Sequence, residues 1–134
     1  MATKRMTKAD HPRSMGGFKP VGHIVAAMPD DERAAQAVRA LRDSGCGPQD
    51  ILEYTAAEED DEMDRMLAQT SEFAGFGYEV TLMRRFQRLS KEGASWLIVY
   101  APGDDQVARI ADVLRRFDCT MAVKYHWLAI EELI

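Results

Sequence analysis

The chain has 134 residues, 46% hydrophobic and 29% charged, with a formal net charge of −5 at pH 7. That make-up fits one globular domain large enough to bury a core, and no apolar run approaches the roughly 18 residues of a membrane span, so a membrane partner is not expected. With only Cys46 and Cys119 a disulfide-built scaffold is excluded, and the expected setting is the bacterial cytoplasm.

Residues 1–16 carry Lys4, Arg5, Lys8 and Arg13 against Asp10, a charge of +3 that leaves −8 on the body. They lack the apolar core of a signal peptide. The expectation is a disordered basic tail over 1–16, dispensable to folding, followed by a single domain over 17–134.

The first predicted strand is HIVAAM, 23–28, apolar at nearly every position and so buried on both faces. A helix follows. Asp30 or Asp31 caps its start, Ala34, Ala37, Val38 and Leu41 share one face, and Gly45 ends it. The second strand, ILEYT at 51–55, sets Glu53 against Leu52 and Tyr54, an alternation suited to a sheet edge.

A helical insertion is predicted over about 58–93. Met63, Met66, Leu67, Phe73, Val80, Met83, Phe86 and Leu89 recur at spacings of three and four. One helix over 62–90 would be roughly 43 Å long at 1.5 Å per residue, and Gly75 and Gly77 would each cost about 1 kcal/mol within it. A bend or break there is expected. The stripe should cover the sheet face that the other helices leave bare, within the chain or across a dimer, which makes Met83 and Phe86 the interface candidates.

Within the insertion, AGFGYEVTL (74–82) resembles the RNA-contacting octapeptide of RNA-recognition motifs. Its basic position holds Ala74, its valine position holds Glu79, and a helical pattern follows where a strand is required. A body at −8 also repels phosphate. Nucleic acid is therefore not an expected partner. A dinucleotide fingerprint fails because Val80 stands where a third glycine belongs. The EEDDE run at 58–62 lacks the spaced ligands and glycine of a calcium loop.

A third strand, 96–101, is again apolar throughout. A helix from Asp104 carries Val107, Ile110, Ala111 and Leu114 on one face, and a fourth strand spans 120–128, with Lys124 and His126 set against Val123, Tyr125 and Trp127. Residues 97–119 repeat the layout of 23–46: Ile98-Val99 answers Ile24-Val25, Asp104-Asp105 answers Asp30-Asp31, and Leu114-Arg115 answers Leu41-Arg42. Two such copies predict an α+β, ferredoxin-like βαβ repeat with antiparallel sheet order 4-1-3-2 and the helical insertion between strands 2 and 3.

No catalytic constellation emerges, and no metal or cofactor is expected. His23 and His126 would be antiparallel neighbours, yet no third ligand accompanies them. Each cysteine follows a helix C-terminus, whose negative partial charge raises a thiol pKa. His23, His126, Tyr125 and Trp127 are the candidates for a binding role.

The stretch VGHIVAAMPDDERAAQAVRALRDSG (21–45), with Gln49-Asp50 beyond it, resembles the YflT-like general stress protein domain. Through its ending LAIEELI the whole chain also looks like a set of proteobacterial proteins of similar length. The resemblance implies a small stress-associated protein and supplies no functional residues. The functional expectation is a non-enzymatic, self-associating interaction protein, a homo-oligomer, linked to the stress response. The alternative is a regulatory domain that binds a small molecule.

Overall fold

The computed structural model describes residues 21–56, 78–126 and 130–134, except for the side chains of residues 78–80 and 83. The predicted tail, the EEDDE run, Gly75, Gly77 and Trp127 lie outside the described residues, as does the side chain of Met83.

The elements are β1 (His23–Met28), α1 (Asp31–Asp43), β2 (Ile51–Tyr54), α2 (Tyr78–Lys91), β3 (Ser95–Tyr100), α3 (Asp104–Arg116), β4 (Met121–Tyr125) and β5 (Ile130–Glu132). A short 3-10 turn over Pro48–Asp50 leads into β2. Among the described residues the fold is therefore α+β, with three α-helices on an open five-stranded antiparallel sheet of order β2-β3-β1-β4-β5.

That order corrects the expected four-stranded sheet. The C-terminal residues add a fifth strand beside β4, pairing Val123 with Glu132, Lys124 with Glu131 and Tyr125 with Ile130. Three residues are too few to show a periodicity in the sequence. Because β5 covers its outer side, β4 is an interior strand and all five of its residues are buried. Lys124, expected on an exposed alternating face, is only 3% exposed.

Each face of the sheet has its own core. On one, Ile24, Ala26 and Met28 of β1 meet Leu97 and Val99 of β3 and Ala122 of β4 beneath Ala34, Ala37, Val38 and Leu41 of α1 and Ile110, Val113 and Leu114 of α3. On the other, Val25, Ala27, Trp96, Ile98, Met121 and Val123 lie under Leu82 and Phe86 of α2. The two-residue period of the strands allots alternate side chains to each layer. Apolar residues at nearly every position of β1 and β3 are thus explained, since both faces are covered within one chain.

The helix ends show how the repeat is realised. Asp30 is the cap of α1, its Oδ1 accepting from the Arg33 backbone N–H at 2.7 Å. Asp31, one residue on, accepts from the Ser95 hydroxyl and from the Ala56 N–H, tying the helix start to β3 and to the residues just after β2. In the second copy Gly103 takes the cap position, and Gln106 Oε1 accepts from its N–H at 2.9 Å. At the far ends, Gly45 (φ 115°) and Asp118 (φ 64°) both adopt left-handed backbone. The next residue then closes each helix: Cys46 N–H bonds the Leu41 carbonyl at 3.0 Å, and Cys119 N–H bonds the Leu114 carbonyl at 3.1 Å.

Candidate functional site

α3 presents more than its buried stripe. Ile110, Val113 and Leu114 point into the core, while Val107, Ala108 and Ala111 lie on the flank nearest β5. Small side chains on that flank leave space between helix and strand. The space is a groove of about 570 Å³ with an apolar floor of Val107, Ala108, Ala111 and Leu133. Asp104, Asp112, Arg115 and Glu131 form its charged rim. The volume falls in the range of small-molecule sites, roughly 300–1,000 Å³.

The rim is organised. Arg115 donates from Nη1 to Asp112 Oδ1 at 3.0 Å and from Nη2 to the Leu133 carbonyl at 3.2 Å, which fixes the far end of the groove. At the near end Glu131 Oε1 lies 2.9 Å from His126 Nε2. Asp104 opens α3 there, where the positive end of the helix dipole favours a carboxylate.

Behind the near end lies Lys124, the cross-strand partner of Glu131. Its ammonium donates to the Ala101 carbonyl, reaching across the end of β1 from β4 to the residue that follows β3. Burial pushes its pKa below the ordinary lysine value, and the Asp104 and Glu131 carboxylates act in the opposite sense. The lysine therefore lies beneath the two carboxylates of the near end, whose charge favours its protonated form against the effect of burial.

The residues singled out from sequence fall elsewhere or only beside this groove. His23 is 1% exposed; its Nδ1 lies 3.0 Å from the Val21 carbonyl and so carries the proton, and its ring stands 5.1 Å from that of Tyr100. Strand alternation puts His23 and Tyr125 on the α2 face, whereas His126 reaches Glu131 on the α1/α3 side. The two histidines therefore do not converge on one ion, despite their adjacent strands. Among the described residues no group of three or more His, Cys, Asp or Glu side chains could hold a metal. Tyr125 is buried in the α2-side core, and Phe86 is fully buried there, its ring 4.9 Å from Trp96. Trp127 and the Met83 side chain lie outside the described residues.

Both thiols are buried. Burial pushes Cys119 up to about 11, partly offset by its contact with Met121 and by Arg115. Cys46 is also raised, by burial first and then by the Asp50 carboxylate, with Arg109 acting against both. The expected direction holds, but burial and not the helix end is its main cause.

Among the described residues, His126 is the one sequence candidate that touches the groove's rim, through Glu131. Asp104, Arg115, Glu131 and Leu133 were legible only as a helix start, a helix end and a C-terminal tail. Their convergence required β5. Compared with family models, curated proteins and solved structures, the chain matches none. No helix among the described residues is long and apolar enough to cross a membrane.

Proposed function

We propose that this chain is a small-molecule-binding regulatory domain whose ligand lies in the groove between α3 and β5. The observation that carries this reading is the pairing of an apolar floor with a polar rim in about 570 Å³. Val107, Ala108, Ala111 and Leu133 would take an apolar body. The carboxylates of Asp104 and Glu131 accept hydrogen bonds, so the polar end of the ligand would be a donor such as an amine or hydroxyl. The β1-α1-β2 and β3-α3-β4 units support a ferredoxin-like parentage with β5 added at the edge. The resemblance of residues 21–45 to the YflT-like domain supports a role in the stress response.

Self-association has less behind it. The apolar strand faces that motivated it are covered by α1, α3 and α2 of the same chain. The two outer strands are four and three residues long and carry Glu53, Glu131 and Glu132, features that resist edge-to-edge pairing.

A thermal-shift screen of amines, alcohols and carboxylic acids tests the reading. A ligand in the groove should raise the melting temperature by several degrees, with donors favoured over acids. The same ligand should fail on Ala108→Trp, which fills the groove from an exposed helix position. Absence of any shift, or a shift that survives Ala108→Trp, would remove the groove as the site.

A further inference from the structure

We infer that the ligand of the groove between α3 and β5 is electrically neutral, an alcohol with an apolar body, and that Lys124 is the residue that selects it over a cationic amine. The inference rests on the reading of the groove as a ligand site and deepens it by choosing between its two classes of donor.

Among the described residues, each carboxylate that lines the groove has a base beside it. At the far end Asp112 Oδ1 accepts from Arg115 Nη1 at 3.0 Å. At the near end Glu131 Oε1 lies 2.9 Å from His126 Nε2. A carboxylate only accepts, so that ring nitrogen carries the proton. Lys124 lies beneath the remaining pair. It faces Glu131 across the β4–β5 ladder, and its ammonium is buried against the carbonyl of Ala101, shortly before Asp104. Both Asp104 and Glu131 act on its charge. The negative charge of the rim is thus largely cancelled by its neighbours.

Cancelled charge does not remove acceptor capacity. An ionised carboxylate offers about four lone-pair positions, and the imidazole takes one of those on Glu131. A hydroxyl that donates to such an oxygen makes a charge-assisted bond and brings no charge of its own. An ammonium makes the same bond but must shed its hydration above the apolar floor of Val107, Ala108, Ala111 and Leu133. Attraction to Asp104 and Glu131 would offset that cost if they stood alone. Repulsion from Lys124 at close range takes much of the attraction away. An ionised acid meets like charge at the near end and is disfavoured further. The neutral donor is left as the best fit.

Three probes that share a six-carbon body separate the charge classes at pH 7: 1-hexanol, hexylammonium and hexanoate. Binding is read in the full chain from the amide NMR shifts of Val107, Ala108, Ala111 and Leu133. The alcohol is expected to bind about tenfold tighter than the amine, with hexanoate weakest. Full-length Lys124→Met keeps an unbranched buried stem and removes the charge, so the order of alcohol and amine should reverse. His126→Ala, at an exposed position, should move the ratio towards the amine by about two- to fivefold; it carries the test alone if Lys124→Met does not fold. An amine that outcompetes the alcohol in the natural chain would overturn the inference and leave the groove standing as a donor site. A ratio unchanged in the variants would overturn it too, because the bases would then have no part in the selection. Silence from all three probes would sink it, and the thermal-shift screen, with its wider chemistry, judges the groove separately.

Discussion

Phe86 of α2 and Trp96 of β3 meet edge to face, with ring centroids 4.9 Å apart and planes inclined at 62°. Both are at most 1% exposed, and the indole N–H is satisfied by Ser90 Oγ at 2.9 Å. One helix of the insertion is thereby locked to the centre of the sheet by two side chains and one hydrogen bond. Replacing Phe86 with alanine opens a cavity in the second core and should cost about 3–5 kcal/mol, read as a lowered urea midpoint. A loss below about 1 kcal/mol would mean that α2 contributes little to the fold.

The hydrogen bond to Trp96 can be tested separately. Ser90→Ala removes the acceptor and leaves a buried indole N–H unsatisfied, which should cost about 1–3 kcal/mol. Ser90→Thr keeps the hydroxyl and should recover part of that loss. Equal destabilisation by both variants would assign the effect to packing and not to the bond.

Lys124 should make stability depend on alkaline pH. Its folded pKa lies below the unfolded value of 10.5, so over the interval between them the unfolded chain holds a proton that the folded chain has released. Stability therefore rises with pH across that window, and below the folded pKa the cost of the buried charge is felt in full. Lys124→Met should remove this rise. The check is the urea midpoint of both proteins from pH 7.5 to 10.5, and parallel curves would show that Lys124 keeps its ordinary pKa when folded.

Cys119 acts with the opposite sign. Its folded pKa of about 11 exceeds the ordinary 9.0. Between those values the unfolded thiol ionises while the folded one stays protonated, so stability falls as pH rises. Cys119→Ala should flatten that decline, apart from a constant packing cost. Consistent with burial, the native thiol should react with an alkylating reagent at neutral pH far more slowly than in urea. Rapid reaction without denaturant would contradict its placement.

Gly45 and Asp118 end α1 and α3 in the same left-handed backbone, one with the residue suited to it and one without. Asp118→Gly relieves the side-chain penalty, worth roughly 1 kcal/mol, but loses the exposed ion pair with Arg33 at 3.4 Å, worth about 0–1 kcal/mol. A small net gain is expected. Asp118→Val, β-branched at positive φ, should destabilise by more than 1 kcal/mol, roughly. The melting temperatures of the two variants should thus fall on opposite sides of the natural protein's.

Local physics made much of this architecture legible in sequence. Asp30 before Ala34, Ala37, Val38 and Leu41 and ahead of Gly45 specifies a capped helix, a buried stripe and a stop, and 104–118 says the same again. The strands β1 and β3, apolar at nearly every position, required cover on two sides; the predicted stripe supplied Phe86 and Leu89 to the second, and Leu82, which is not part of that stripe, joins them there. What only the tertiary structure decided was set by pairing between distant segments. Ile130–Glu132 has no pattern of its own and becomes a strand because β4 offers an edge. That pairing turns β4 inward, buries Lys124 against the Ala101 carbonyl, and brings Glu131 and Leu133 opposite Asp104 and Ala111. Periodicity reports which side of a segment is apolar; it carries no information on which neighbour arrives, and the groove exists only between two neighbours.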